Sequence, residues 1–174
     1  VYNMTNSNLP SNNIKCLDMD TDGSLWMGTS SGLVNFDGES WTVFNTANSG
    51  LPDDDVNSLT IEINGTIWAG TWGGGLATYD RNSWNVFTPS NSDLPCEYIK
   101  WIIIDSNGVK WIASEYSGMG WVSYFTSFNG TNWQNYDSSN SDLPNNIGAA
   151  IAADDDGSLW LGLPYIDLIK FNNP

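Results

Sequence analysis

The tag Asn-Ser-x-Leu-Pro occurs four times, at 6–10, 48–52, 91–95 and 140–144. Each time its leucine stands 17 residues before a tryptophan: Leu9 to Trp26, Leu51 to Trp68, Leu94 to Trp111 and Leu143 to Trp160. A repeat of about 43 residues is long enough for one supersecondary unit but too short to bury a core of its own, so successive units have to stack. The 174-residue chain is therefore expected to be a single domain of four similar units, divided as 6–47, 48–90, 91–139, and 140–174 together with 1–5.

Inside each unit the same punctuation recurs. A turn sequence precedes each tryptophan, ending at Gly23, Gly65, Gly108 and Gly157 in the runs DTDG, EING, DSNG and DDDG. Asp and Asn bond their own backbone, and Gly supplies the positive φ, so these are hairpin tips. After the tryptophan come a Gly-Thr pair or its relatives, then a segment ending in Phe36, Tyr79, Phe128 or Phe171. In three units a second tryptophan follows at Trp41, Trp84 and Trp133, with an aromatic three residues on. The pattern predicts a four-stranded meander, in unit one roughly Ile14 to Asp20, Leu25 to Thr29, Leu33 to Phe36 and Trp41 to Phe44. Four-stranded sheets stacked radially make an all-β protein, a β-propeller of four blades.

The fourth unit reads only to Pro174, before any fourth strand, while Val1-Tyr2-Asn3-Met4-Thr5 matches the end of one, with Val1 and Tyr2 in the places of Val43 and Phe44. Two closures are open. The segment completes blade four within its own molecule, or within a longer array, which removes the free sheet edge. Alternatively, residues Val1 to Thr5 complete blade four of a neighbouring molecule, which repeated would build a filament.

These residues resemble the two-component regulator propeller repeat, whose pattern runs LP, a β-branched residue, an Asp-x-x-Gly turn, LWxGT, GL, an aromatic, a turn and W. Unit one nearly spells it in LPSNNI and DTDGSLWMGTSSGLVNFDGESW, and unit two follows in LPDDDV and NGTIWAGTWGGGLATYDRNSW. Unit four keeps LPNNI and DDDGSLWLG, whereas unit three has Trp111-Ile112-Ala113-Ser114 and an insertion. No Trp-Asp or Gly-His pair supports a WD propeller, and a double glycine of the kelch kind appears only at Gly73-Gly74. The resemblance implies an extracellular or periplasmic bacterial module that recognises ligands, often glycans, and does not catalyse. The rival reading is a structural subunit of an extracellular filament, and a distant third is a carboxylate-dependent glycosidase.

Composition narrows the chemistry further. With no histidine, nucleophile relays that need one and His-ligated zinc are excluded. Five Lys and Arg against 20 Asp and Glu leave a net charge of −15, so nucleic acid and anionic membrane are not partners. No apolar run reaches the length of a membrane span. Neither a cofactor nor a metal is expected: Asp18 to Gly23 starts like a calcium loop, but its ninth and twelfth positions are Trp26 and Thr29. Cys16 and Cys96 occupy non-equivalent places and are not expected to form a disulfide.

Tryptophans that recur from unit to unit are expected to pack blade on blade. Aromatics that break the repeat are the better ligand candidates. They are Trp72 in TWGGG, Tyr165 in LPYID, and Tyr116 and Trp121 with the carboxylate Glu115 in the unit-three insert EYSGMGWVSYF. In a meander the loops between second and third strands share one end of the molecule with the connections between units. These residues are thus expected around one mouth suited to a sugar, with aromatic faces for stacking and carboxylates for hydroxyls.

Overall fold

The computed structural model describes residues 1–116, 122–143, 150–162 and 168–171, with the backbone alone at 116, 122 and 123. It is all-β. Blade one contains β1 (Ile14–Met19), β2 (Leu25–Thr29), β3 (Gly32–Phe36) and β4 (Trp41–Phe44), paired antiparallel in chain order. Blade two repeats this with β5 (Val56–Ile61), β6 (Ile67–Thr71), β7 (Leu76–Tyr79) and β8 (Trp84–Phe87). Blade three has β9 (Ile99–Ile104), β10 (Lys110–Tyr116), β11 (Val122–Phe128) and β12 (Trp133–Tyr136), and blade four has β13 (Ala150–Ala153), β14 (Leu159–Gly162) and β15 (Leu168–Phe171).

The turn chemistry read in the sequence forms as expected. Gly23, Gly65, Gly108 and Gly157 all have φ between 78° and 88°, and each donates its N–H to the carbonyl three residues earlier. The acid at Asp20, Glu62, Asp105 or Asp154 opens the turn, and in three blades it accepts the tryptophan indole N–H: Trp68 to Glu62 and Trp111 to Asp105, both 2.9 Å, and Trp160 to Asp154, 3.2 Å. In blade one, Asp20 pairs instead with Arg81 of blade two, whose guanidinium lies 4.7 Å over the Trp26 ring. The supposed calcium loop is this turn: Asp20 is engaged by Arg81 and the Thr21 N–H, and Asp22 accepts from Ser24.

The tag itself is a capping device. Asn6, Asn48, Asn91 and Asn140 each donate Nδ2–H to the carbonyl five residues back, at 2.9–3.0 Å, and accept through Oδ1 from the N–H three residues back. The following serine donates to the carbonyl four residues back, at 2.7 Å in all four. Residues Leu9, Leu51, Leu94 and Leu143 are then delivered into the core.

Blades bury one another's faces. Trp26, Leu33 and Phe44 of blade one meet Val56, Leu59 and Ile61 of blade two; Trp68, Leu76 and Phe87 of blade two meet Ile99, Ile102 and Ile104 of blade three. Trp111, Phe125 and Tyr136 meet Leu159, Leu161 and Phe171 of blade four in the same way. Gly28 and Gly70 allow this approach: a Cβ on Gly70 would stand 2.4 Å from the Ile99 side chain, and one on Gly28 2.8 Å from Val56. Three of the five cations bridge blades, as Lys15–Asp55, Arg81–Asp20 and Lys110–Glu62.

Two features depart from expectation. The insert of unit three lengthens the β10–β11 hairpin to seven residues per strand, because its Tyr, Val and Phe residues favour pairing over loop. The segment from Val1 to Thr5 forms a turn rather than a strand, and the sheets of the described residues do not close: blade four is three-stranded and pairs with no part of residues 1–5.

Candidate functional site

The loops between second and third strands do share one end of the molecule with the inter-blade connections. Trp72 N–H donates to the Asp55 carbonyl at 2.9 Å, Gly32 N–H to Asp54 at 2.7 Å and Gly75 N–H to Glu97 at 3.0 Å, each reaching into the connection that opens the next blade. Gly75, at φ 83°, makes the loop possible, since a Cβ there would lie 2.3 Å from the Phe87 carbonyl oxygen.

On this end Trp72 forms an isolated antiparallel bridge with Tyr98, and their rings meet edge to face at 5.6 Å. Trp72 is exposed and Tyr98 half-buried. Beside Tyr98 opens a cleft of about 310 Å³ between blades two and three, lined by Pro89, Pro95, Cys96, Glu97, Tyr98 and Tyr124. Glu97 is exposed, whereas the Cys96 thiol is buried and donates to the Glu115 carbonyl at 3.2 Å. Burial pushes the Cys96 thiol above its ordinary pKa, so it remains protonated and unreactive. Cys16, half-buried between blades one and two, is pushed up to about 12 by desolvation, and both cysteines are free.

Of the residues singled out from the sequence, Trp72 follows β6 and is exposed, with its ring against Tyr98. Glu115 lies in β10, buried, with its carboxylate 2.8 Å from Lys100 Nζ and its backbone N–H bonded to the Tyr98 carbonyl. The Tyr116 side chain, Trp121 and Tyr165 lie outside the described residues. Tyr98 escaped the sequence reading although it breaks the repeat, replacing Asn13 and Asp55 of units one and two. Ser114 carries a related irregularity. Thr29 and Thr71 at its position donate their hydroxyls to the carbonyls of Gly32 and Gly75, whereas the buried Ser114 hydroxyl has no partner among the described residues.

Residues 8–31 match the two-component regulator propeller family. The matched stretch holds Leu9-Pro10 of the first tag, the first turn and the Leu-Trp-x-Gly-Thr strand, features that recur in the later blades. No curated protein matches the chain. Among solved structures it is similar to the extracellular domain of the hybrid two-component system BT3049 of B. thetaiotaomicron, at 22% identity and a TM-score of 0.69 over 85% of this chain and 20% of that one. It is also similar to the extracellular domain of the one-component system BT4673 of the same organism, at 19% identity and 0.73, over 89% and 22%. A catalytically inactive virginiamycin B lyase from Staphylococcus aureus, with quinupristin, aligns at 15% identity and 0.66, over 95% and 58%. The chain thus spans about a fifth of the two extracellular domains, and the likeness is one of fold.

Proposed function

We propose that this propeller is a non-enzymatic binding module of a secreted or surface-displayed protein, and that its ligand is a carbohydrate held at the cleft between blades two and three. The observation that carries the proposal is the exposed Trp72 packed edge to face on the half-buried Tyr98, which lines that cleft together with Tyr124 and the exposed Glu97. An aromatic face presents the quadrupole that C–H-rich sugar faces pack against, and an exposed carboxylate accepts from hydroxyls. Glu115, paired with Lys100, holds β10 against β9 beside the cleft.

Catalysis is not part of the proposal. A glycosidase needs two carboxylates flanking the bond, and among the described residues lining the cleft Glu97 is the single carboxylate. The lyase of similar fold is inactivated by replacing one histidine, a residue type this chain lacks. The extracellular placement draws support from the likeness to extracellular domains, and among the described residues no helix is long and apolar enough to cross a membrane.

Tryptophan-fluorescence titration against a panel of oligosaccharides tests the reading. At least one member binds, and Trp72→Ala and Tyr98→Ala each weaken it by about tenfold or more, which corresponds to about 1.4 kcal/mol. Binding that survives both substitutions removes this site.

A further inference from the structure

The cleft between blades two and three differs from the junction between blades one and two in the contacts that hold the connection together. Two residues before the tag asparagine, the Met4 and Thr46 N–H groups donate to Asn12 and Asp54 Oδ1 at 2.9 and 2.8 Å, tethering a side chain of the connection that follows. The third repeat has Pro89 at the first of these positions and Glu97 at the second. Proline has no N–H to give, so the tether is lost. The Glu97 carboxylate is exposed and takes part in no hydrogen bond or ion pair among the described residues. The next position changes as well: Asp55, held by Lys15, gives way to Tyr98, which lines the cleft together with Tyr124.

The charge around the freed carboxylate is one-sided. All five Lys and Arg of the chain are engaged with other acids: Lys15 with Asp55, Arg81 with Asp20, Lys100 with Glu115, Lys110 with Glu62, and Lys170 with Asp154 and Asp156. Among the described residues lining the cleft no side chain is a cation or an amide. Their polar side-chain atoms are the Glu97 carboxylate, two phenol oxygens and a thiol that already donates to the Glu115 carbonyl. A carboxylate or sulfate on a ligand would meet repulsion there and no cation to offset it. An ammonium fits on both counts: it is donor only and pairs with Glu97, and its charge is attracted to the negative faces of aromatic rings.

We infer that, given carbohydrate binding at this cleft, the sugar is a basic one: its protonated amine pairs with Glu97 and lies against the rings of Tyr98 and Tyr124. Amino sugars with a free amine are the ligand class, and uronic acids and sulfated sugars are rejected. The net charge of −15 draws such a ligand toward the molecule, and the carboxylate released by Pro89 decides where it is held.

Tetrasaccharides of one linkage test this by tryptophan fluorescence at mildly acidic pH: cellotetraose, N-acetylchitotetraose, and the latter with one acetyl group removed. The single free amine is expected to tighten binding about tenfold or more over both neutral tetramers. Glu97→Gln is expected to bring all of them within about twofold of one another, while Glu39→Gln, the same change of charge at an exposed turn of blade one, leaves the preference intact. Near-ultraviolet circular dichroism confirms that both variants are folded. Binding that depends on Trp72 but ignores the amine overturns the inference and leaves the carbohydrate site standing. A preference that survives Glu97→Gln, or that Glu39→Gln removes equally, belongs to the overall field and overturns it too. Benzyltrimethylammonium, a cation without a sugar, separates the two readings. If it binds and Glu97→Gln weakens it about tenfold while no oligosaccharide of the panel binds, the cation site stands and the carbohydrate reading falls. If neither it nor any oligosaccharide binds, both fall.

Discussion

Replacing Trp111 and Trp160 by alanine in parallel separates what the repeat encodes from what the neighbours supply. The two residues stand at equivalent positions of successive blades, each with its indole N–H on the acid of its own turn. Trp111 is fully buried, with Phe125, Tyr136 and Phe171 centred 5.3, 5.7 and 5.9 Å away. Removing it deletes a large apolar side chain and leaves a walled cavity, about 3–5 kcal/mol, and strips the Asp105 Oδ2 of its donor for about 1 kcal/mol more. Trp160 is 36% exposed, so its removal forfeits about 1–2 kcal/mol of partial burial. For a domain of this length these translate into Tm losses on the order of 10–20 °C and 2–8 °C. Thermal melts followed by far-ultraviolet circular dichroism read both. Equal losses, or a larger loss at Trp160, would refute the argument that stacking of blade on blade dominates stability.

The same contrast holds for strand glycines: Gly70→Ala forces a methyl group into Ile99 and is expected to cost about 1–3 kcal/mol in denaturant unfolding, while Gly162→Ala is close to neutral. In acid, the turn carboxylates set the response. Hydrogen bonds from Ser24 hold the Asp22 carboxyl below its ordinary 3.8, those from Ser40, Ser83 and Ser139 do the same for Asp37, Asp80 and Asp137, and the Ser158 hydroxyl and N–H bring Asp156 to about 2. A folded-state pKa below the unfolded one means the contribution is complete above 3.8 and lost as pH falls through the folded values. Tm is therefore expected to hold above pH of about 4 and to fall between there and pH 2. A decline that begins near neutrality would contradict it.

Much of the fold was legible because its punctuation is local. Glycine at the hairpin tips, asparagine in the tag and tryptophan 17 residues after each Leu-Pro are short-range signals, and strands β2 and β4 fall on the residues expected. The burial of Glu115 was not legible, since it depends on Lys100 of the neighbouring strand reaching across to it. The lengthened β10–β11 hairpin was not legible, because extra residues between the second and third strands read as loop, whereas the pairing of Lys110–Tyr116 with Val122–Phe128 is set across strands. Tyr98 was legible in principle, as an aromatic where the other units keep Asn or Asp, but its meeting with Trp72 arises from one blade's loop reaching the next blade's connection.

The central claim is that tryptophans which repeat hold the blades together, while those that break the repeat meet the ligand. Indole N–H resonances report on both classes at once. In a titration with a binding oligosaccharide, nuclear magnetic resonance of the indole region should show the Trp72 signal moving with the ligand, while those of Trp68 and Trp111, bonded to Glu62 and Asp105, hold their positions. A shift at Trp68 and Trp111 with Trp72 unmoved would contradict the account.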